Sequence, residues 1–198
     1  MDKSQLRQML QKILMLIPAE ERAKKSRKAC LNLISTPEFQ KASTVMLYLS
    51  LPDEVDTSEV FLHAWQNGKT VAVPKVSWQQ RRMIPVEINS LETDMSVGAS
   101  GLRTPTTGRP IPPGEIELVV TPALGYDGNG NRLGRGGSYY DRFFANEELR
   151  ACKCGFSFAE QQVDSIPVSD HDVAVDILVT DEEVFYFGAG VGSRQEGA

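Results

Sequence analysis

The central segment of the chain reads Ile116-Glu-Leu-Val-Val-Thr121, a short apolar run of strand-forming residues. Such a run is typical of a strand that is buried on both faces of a parallel sheet. A glycine-rich loop at residues 125–137 follows it, and the pattern then predicts a helix from Ser138 to Leu149. Open α/β sheets bind ligands outside the carboxyl ends of their strands. We therefore predict an α/β protein with a mostly parallel sheet, flanking helices and a ligand cleft at the carboxyl ends of the strands.

Outward from this segment, the chain alternates helical and strand patterns. Apolar residues spaced three and four apart predict helices, and short apolar runs predict strands. Asp56 and Glu59 are expected to form a capping pair before one of the helices. Residues 96–114 are expected to form a surface excursion, because the Gly, Pro and Thr residues there show no period. The predicted helices cover 6–17, 18–35 and a stretch ending at 67, and the predicted strands cover 44–49, 70–73, 83–88, 153–158, 175–180 and 184–187.

Length and composition indicate one soluble domain. The chain has 198 residues, within the usual size of one domain, which we place at residues 1–187 with a flexible tail at 188–198. A net charge of -5 argues against nucleic acid or an anionic membrane as a partner. There is no bilayer-length apolar stretch and no secretory signal pattern, and the three cysteines fit neither a disulfide framework nor a zinc site. We therefore expect a cytoplasmic monomer that acts on small molecules.

The glycine-rich stretch Gly128–Arg142 is the best candidate for a binding site. Its glycines allow successive backbone N–H groups to approach a phosphate, and Arg132 and Arg135 add full positive charges. The stretch is not a P-loop, because no Gly-Lys-Ser/Thr closes it, and its glycines do not follow the dinucleotide-binding spacing. A solvated loop with Asn-Gly turns would account for the glycines alone. The two arginines, with two tyrosines and an aspartate in the same run, favour a binding site.

Two motifs in this region are characteristic of a known family. Thr121-Pro122 is followed by Tyr126-Asp127 and then by the run Arg132-Leu-Gly-Arg-Gly-Gly-Ser-Tyr-Tyr-Asp-Arg142. The chain here resembles the 5-formyltetrahydrofolate cyclo-ligase family, also called methenyltetrahydrofolate synthetases, whose hallmark is close to R-L-G-x-G-x-G-Y-Y-D-R. Similar matches are spread along nearly the whole chain, at Lys3 with Arg7, Ala19-Glu-Glu-Arg22, Tyr48-Leu-Ser50 with Glu54, Gly68-Lys69, Val73-Pro-Lys75, Met83, Phe158-Ala-Glu-Gln161 and His171-Asp172 with Asp176.

The resemblance implies an enzyme that uses MgATP to cyclise 5-formyltetrahydrofolate to 5,10-methenyltetrahydrofolate, with release of ADP and phosphate. Phosphoryl transfer depends mostly on positioning and on cations, and the residue types present suit that demand. The implied catalytic residues are Arg135 and Tyr140. The implied ATP-binding residues are Lys3, Arg7, Arg132, Leu133, Gly134, Arg135, Gly136, Gly137, Ser138, Tyr139 and Tyr140. The implied substrate-binding residues are Leu49, Glu54, Met83, Arg135, Gly136, Gly137, Ser138, Tyr139 and Phe158.

The resemblance also implies a metal ion and a pocket for the pterin ring of the folate. Asp141 and Asp172 are the Mg²⁺ candidates, with Asp176 in reserve, because Mg²⁺ usually takes one or two carboxylates beside phosphate oxygens. Glu54 is expected to act as a hydrogen-bond acceptor, either for the pterin's amino-imino edge or for the folate near the reacting nitrogen. Apolar and stacking walls for the pterin are expected from Leu49, Met83, Tyr139, Tyr140 and Phe158. Core packing would explain Leu49, Met83 and Phe158 at least as well.

Two positions depart from the family pattern. Ser138 stands where the family usually has a glycine, and Thr104 stands where a glutamate usually precedes the proline. The serine is expected to tighten the loop, to bind phosphate or to cap the following helix. These departures leave open a non-catalytic nucleotide- or folate-binding relative, and a similar fold leaves open a phosphosugar isomerase-like enzyme. Because the run is interpreted as a surface loop, substitutions at Arg135 and Asp141 are expected to cost activity but little stability.

Overall fold

The helices and strands are taken from a computed structural model, which describes residues 1–77, 79–93, 95–97 and 103–188. The helices are α1 (Lys3–Leu16), α2 (Ala19–Ser35), α3 (Pro37–Lys41), α4 (Ser58–Gln66) and α5 (Tyr139–Phe144). The strands are β1 (Thr44–Met46), β2 (Thr70–Ser77), β3 (Arg82–Glu87), β4 (Met95–Val97), β5 (Arg103–Pro105), β6 (Leu118–Thr121), β7 (Gly125–Asp127), β8 (Arg132–Leu133), β9 (Cys152–Phe156), β10 (Gln162–Val163), β11 (Ile177–Val179) and β12 (Val184–Tyr186). Short 3₁₀ turns lie at Pro113–Glu115 and Ala159–Gln161.

Seven strands form the central sheet, in the order β12-β11-β9-β6-β1-β2-β3. The five inner strands are parallel, whereas β3 and β12 at the two edges run antiparallel to their neighbours. Strand β6 lies in the middle, and all four of its residues are buried. The predicted α/β fold with a mostly parallel sheet is therefore confirmed. Because β1, β2 and β6 are parallel, the segments that follow them lie at one edge of the sheet.

Helix α1 follows the predicted apolar stripe. Leu6, Leu10 and Leu14 are buried in the main core, as the three-four spacing requires. A capping box starts the helix, in which Asp2 Oδ1 accepts from the Gln5 N–H at 2.8 Å and Gln5 Oε1 accepts from the Asp2 N–H at 3.1 Å. Within the described residues, none of the helices has the length and apolar character needed to cross a membrane.

The glycine-rich segment contains strands that the sequence did not predict. β7 and β8 pair as an antiparallel hairpin, and β10 adds a third, parallel strand to this small sheet. Asp127 closes the turn, because its Oδ1 accepts from the N–H groups of Asn129 and Asn131 at 3.0 Å. Gly130 adopts φ +77°, and a Cβ there would lie 2.7 Å from the Val175 carbonyl oxygen, so the turn requires glycine. The hairpin fixes the position at which the Arg132 run begins.

The helix predicted over 138–149 is shorter than expected and ends at Phe144. Beyond it, Asn146 Oδ1 accepts from the Glu148 N–H at 2.9 Å. A side-chain acceptor of this kind competes with the backbone ladder and favours a turn over a further helical turn. The segment from 145 to 149 is therefore a turn, although its composition suits a helix.

Other differences are local. The Asp56–Glu59 capping pair does not form, because Asp56 accepts instead from the Ser58 N–H and hydroxyl, at 2.9 and 2.6 Å. The five-residue helix α3 lies where no element was predicted. The expected excursion at 96–114 includes part of the antiparallel pair β4–β5, while residues 98–102 and the predicted tail beyond residue 188 lie outside the described residues.

Candidate functional site

A cavity of about 270 Å³ lies beyond the carboxyl ends of the inner strands. Its walls come from the start of α1, from the segments that follow β1 and β6, from β2 and β3, and from the run between β8 and α5. The cavity brings together the predicted site residues except Phe158 and the reserve metal ligand Asp176. Those lining it are Lys3, Arg7, Leu49, Glu54, Met83, Arg132, Leu133, Gly134, Arg135, Gly136, Gly137, Ser138, Tyr139, Tyr140, Asp141 and Asp172.

The backbone between β8 and α5 forms the floor of one end of the cavity. Gly136 adopts φ +110°, a conformation that side chains rarely allow. A Cβ at Gly137 would lie 2.6 Å from the ring of Tyr139. Among the described hydrogen bonds, none uses the N–H groups of residues 135–138 as donors. This stretch therefore holds exposed N–H groups beside a cavity, as an anion cradle requires.

Arg132 carries a buried positive charge at this end of the cavity. Only 4% of its side chain is exposed, and its Nη2 donates to Asp141 Oδ1 at 2.7 Å. The guanidinium also lies over the rings of Tyr140 and Phe144, at 5.6 and 5.8 Å from their centroids. Its Nε is buried without a hydrogen-bond partner in the described part of the chain. A buried donor without an acceptor is costly, so this guanidinium is suited to an anionic ligand.

Arg135 forms ion pairs with two neighbouring carboxylates from the segment after β1. Its Nη2 lies 2.8 Å from both carboxylate oxygens of Asp53, and its Nε donates to Glu54 Oε1 at 3.3 Å. Glu54 Oε2 accepts from the Leu51 N–H at 2.9 Å. Burial raises the pKa of Glu54, although Leu51 and Arg135 oppose the shift. The sequence analysis missed Asp53, whose only signal was its position beside Glu54.

The start of helix α1 closes the same end of the cavity. Arg7 Nε donates to the Gly134 carbonyl at 2.9 Å. Lys3 forms an ion pair with Asp172 and donates to Ser169 Oγ at 3.3 Å. Although burial acts in the opposite direction, hydrogen bonds from Lys3 and from the Ser169 N–H lower the pKa of Asp172. Lys3 and Arg7, which lie far from the glycine-rich run in the sequence, thus add positive charge beside it.

Aromatic and apolar side chains form the remaining walls. Burial raises the pKa of the Tyr140 hydroxyl, so this group stays protonated and can donate a hydrogen bond. Leu49 and Met83 are 9% and 7% exposed and belong to the buried core while also lining the cavity. The structure thus supports both core packing and a wall of the cavity as roles of these two residues. Tyr48, which the sequence analysis named in a family match but not as a ligand, lines the cavity and donates its hydroxyl to the Val55 carbonyl at 2.9 Å.

Two candidates lie elsewhere. Phe158 is fully buried in the main core and is not among the residues that line the cavity, so the structure gives no support to its predicted contact with substrate. It lies just beyond β9. Asp176, the reserve metal ligand, also lies outside the cavity lining: it pairs with Lys153 Nζ at 2.9 Å and accepts from the Lys153 N–H at 2.7 Å.

Further residues line the cavity without having been predicted as ligands. Thr104 is among the lining residues, so the position at which the family pattern has a glutamate does face this space. Its neighbour Arg103 adds a cation on the same wall. Both residues lie on β5, which belongs to a separate two-stranded sheet with β4. The lining residues missed are Tyr48, Leu51, Pro74, Val76, Arg103, Pro122 and Ala123.

Ser138 is strained in this structure, and we expect Ser138→Gly to raise the free energy of unfolding by about 0.5–1 kcal/mol. The serine adopts φ +48°, ψ +28° at the start of α5, and its side chain makes no capping hydrogen bond. The expectation that its hydroxyl caps the helix is therefore wrong. Urea denaturation measures the change.

Gly68 provides the matched control for Ser138. It also has a left-handed backbone, with φ +69°, and a Cβ there would meet nothing within 4 Å. Gly68→Ser should therefore lose about as much stability as Ser138→Gly gains. A Ser138→Gly variant that is less stable than wild type would show that the serine contributes more than its backbone strain costs.

Known proteins resemble this chain along nearly its whole length. A model of the 5-formyltetrahydrofolate cyclo-ligase family matches residues 1–181. The chain is 29% identical over 190 residues to a mouse 5-formyltetrahydrofolate cyclo-ligase, which covers 91% of this chain and 94% of the mouse protein. It is 26% identical over 181 residues to the Haemophilus influenzae protein of the same name, which covers 89% of this chain and 97% of that one.

Solved structures show the same architecture. The NMR structure of Aquifex aeolicus 5,10-methenyltetrahydrofolate synthetase superimposes with a TM-score of 0.84 at 30% sequence identity, covering 99% of this chain and 98% of that one. A 5,10-methenyltetrahydrofolate synthetase from Mycoplasma pneumoniae gives a TM-score of 0.76 at 22% identity, covering 92% of this chain and all of that one. The second likeness concerns the fold alone.

Proposed function

Because the chain belongs to the 5-formyltetrahydrofolate cyclo-ligase family, we propose that its cavity carries out the ATP-dependent cyclisation of 5-formyltetrahydrofolate. The resemblance expected from the sequence motifs is confirmed. The chain is a folate enzyme of one-carbon metabolism. In the proposed reaction the formyl oxygen attacks the γ-phosphorus of ATP and ADP leaves. N10 then attacks the formyl carbon and loses its proton, and the departure of phosphate gives 5,10-methenyltetrahydrofolate.

One observation carries this proposal: a single cavity combines cations and exposed N–H groups at one end with a buried carboxylate and apolar walls. Lys3, Arg7, Arg132 and Arg135 are proposed to neutralise the triphosphate, while residues 134–138 hold it through backbone N–H groups. Phosphoryl transfer leaves little covalent chemistry for a protein, so these contacts supply most of the catalysis. Arg135 and Tyr140 are the residues proposed to stabilise the charge that develops on the transferred group.

The other walls suit the folate. Glu54 is proposed to accept hydrogen bonds from the amino-imino edge of the pterin, and its burial makes those hydrogen bonds stronger than they would be in water. Leu49, Met83 and Tyr139 are proposed to contact the flat ring. Residues 135–138 are proposed to contact both substrates, because they lie between the proposed triphosphate and pterin positions.

The residues present also fit a magnesium ion that arrives with ATP. Within the described residues no three His, Cys, Asp or Glu side chains cluster as a protein-only metal site. Mg²⁺ needs no such cluster when phosphate oxygens and waters complete its coordination. Asp141 and Asp172 line the cavity, and their described hydrogen bonds use only one oxygen of each. These two carboxylates would hold the ion. The bound ion would neutralise charge on the phosphates.

The test mixes the purified protein with 5-formyltetrahydrofolate and MgATP and follows the near-ultraviolet absorbance of the methenyl product. We expect the signal to grow only when both ATP and Mg²⁺ are present, with ADP released in equal amount. Tight binding of both substrates without ADP release would instead indicate a non-catalytic relative. Activity on a phosphosugar without ATP would indicate an isomerase.

The oligomeric state and the location of the protein are also proposals. We propose that the protein works as a monomer in the cytoplasm, since one chain supplies every residue assigned above and its net charge of -5 does not favour an anionic membrane. Light scattering at assay concentration tests the monomer. A dimer that dissociates with loss of activity would contradict it.

Folate binding should weaken as the pH falls, because Glu54 offers two acceptor oxygens and a negative charge to the pterin edge only when it is ionised. Burial raises the pKa of Glu54, so the fraction ionised begins to fall at a higher pH than for an exposed glutamate. The affinity for folate has its full value above the raised pKa of Glu54 and decreases by up to about tenfold per pH unit below that pKa. Titrating tetrahydrofolate into wild type and into Glu54→Gln from about pH 8 to about pH 5 measures this. The affinity of the glutamine variant should not show this pH dependence. Equal pH profiles of affinity for the two proteins would contradict the role proposed for Glu54.

A further inference from the structure

Arg135 and Glu54 contact each other in the structure, although the proposed function needs Arg135 for the triphosphate and Glu54 for the pterin edge. Arg135 Nη2 binds both oxygens of Asp53 at 2.8 Å, and its Nε binds Glu54 at 3.3 Å. These contacts use three of the five guanidinium N–H groups. The three side chains therefore form one cluster, with one positive and two negative charges, across the rim of the cavity.

Each ligand needs a side chain that is already bonded to another member of the cluster. A triphosphate competes with Asp53 for the same edge of the Arg135 guanidinium, since both present paired oxygens. A pterin edge competes with Arg135 for Glu54, whose other oxygen accepts from Leu51 in its own segment. A triphosphate that takes the Nη2 edge separates Arg135 from Asp53, and a pterin that takes Glu54 Oε1 separates Arg135 from Glu54. Because one side chain makes both contacts, movement of Arg135 breaks both.

We propose that the Arg135–Asp53–Glu54 cluster couples the binding of the two substrates. This inference rests on the proposed function. Separating the three side chains costs free energy once. The ligand that binds first supplies this free energy, so the ligand that binds second binds more tightly. Each substrate then raises the affinity for the other by the same factor, as thermodynamic linkage requires. Asp53 is a positioning residue in this scheme, because it acts through Arg135.

The geometry of the cluster sets the expected size of the effect. The side chains of Arg135 and Asp53 are 36% and 32% exposed, so solvent screens their attraction and keeps it modest. One nitrogen, Nη2, contacts both Asp53 oxygens, so the stronger arrangement in which two guanidinium nitrogens bind a carboxylate side by side is not formed. Gly134 and Gly136 flank Arg135, which gives this part of the loop freedom to reposition the side chain. We expect about a fivefold coupling, at the low end of the usual range.

The experiment measures ATP binding by calorimetry on the full chain, with and without saturating tetrahydrofolate. Tetrahydrofolate lacks the formyl group, so no phosphoryl acceptor is present and binding is measured alone. In wild type we expect the dissociation constant for ATP to fall about fivefold when the folate is present, and the reverse titration to give the same factor. In Asp53→Asn, ATP alone should bind more tightly than to wild type, and the factor should fall toward one.

Glu87→Gln is the matched control, because it removes a carboxylate from another arginine ion pair, with Arg109 at 3.1 Å, that does not line the cavity. Its coupling factor should equal that of wild type. A wild-type factor of one, with both ligands bound, would overturn the coupling while leaving the proposed function intact. An unchanged factor in Asp53→Asn would overturn the role of Asp53. Failure of either ligand to bind wild type would overturn both proposals.

Discussion

The Arg135→Ala variant should lose at least about 1000-fold in kcat/KM, in the range that a transition-state arginine contributes to phosphoryl transfer. Its free energy of unfolding should stay within about 1 kcal/mol of wild type, because solvent screens the partly exposed ion pair with Asp53. The buried Glu54 loses only a 3.3 Å contact and keeps its hydrogen bond from the Leu51 N–H. The methenyl absorbance assay measures the first quantity and urea denaturation measures the second. Loss of activity without loss of stability is the result expected of a residue that contacts the reacting group.

Arg135→Lys provides the control for this experiment. Lysine keeps the positive charge but cannot bind a phosphate or a carboxylate through two parallel hydrogen bonds. Its activity should therefore lie between those of wild type and alanine. Activity of the alanine variant within tenfold of wild type would remove Arg135 from the catalytic residues and would leave it as the partner of Asp53.

The Asp141→Ala variant should lose about 3 kcal/mol of stability, which corrects the expectation that substitutions in this run cost little. Asp141 is the partner of the buried Arg132, and their side chains are only 12% and 4% exposed. Removing one partner of a buried ion pair leaves the other charge uncompensated. The Val173 N–H, which donates to the same oxygen at 3.3 Å, also loses its acceptor. Urea denaturation measures the loss.

Asp141→Asn separates packing from charge at this position. The asparagine retains an oxygen that can accept from Arg132 and Val173, so it should lose less stability than alanine does. It should still lose activity, because a neutral amide is a poorer Mg²⁺ ligand than a carboxylate. An alanine variant as stable as wild type would show that the Arg132–Asp141 pair contributes nothing to folding.

Much of the fold was predictable because it depends on local patterns. The stripe of Leu6, Leu10 and Leu14 predicted α1, and the apolar run at 116–121 predicted the buried central strand β6. Each pattern repeats with the period of its element, so a short window of sequence contains the information. The errors arose where side chains compete with the backbone, as at Asn146, where a side-chain acceptor ends the helix that composition favoured.

The residues that make up the site could be identified from the amino-acid order: the motif from Arg132 to Arg142, the family it indicates, and the acid at Glu54. These are properties of residue type and spacing along the chain. The pairing of the charges depends instead on the folded arrangement. Arg132 is buried against Asp141, Arg135 reaches Asp53 across 82 positions, Lys3 reaches Asp172 across 169 positions, and Phe158 packs in the core. Partnership depends on distance and burial after the strands have paired, because those alone set how strongly two charges interact.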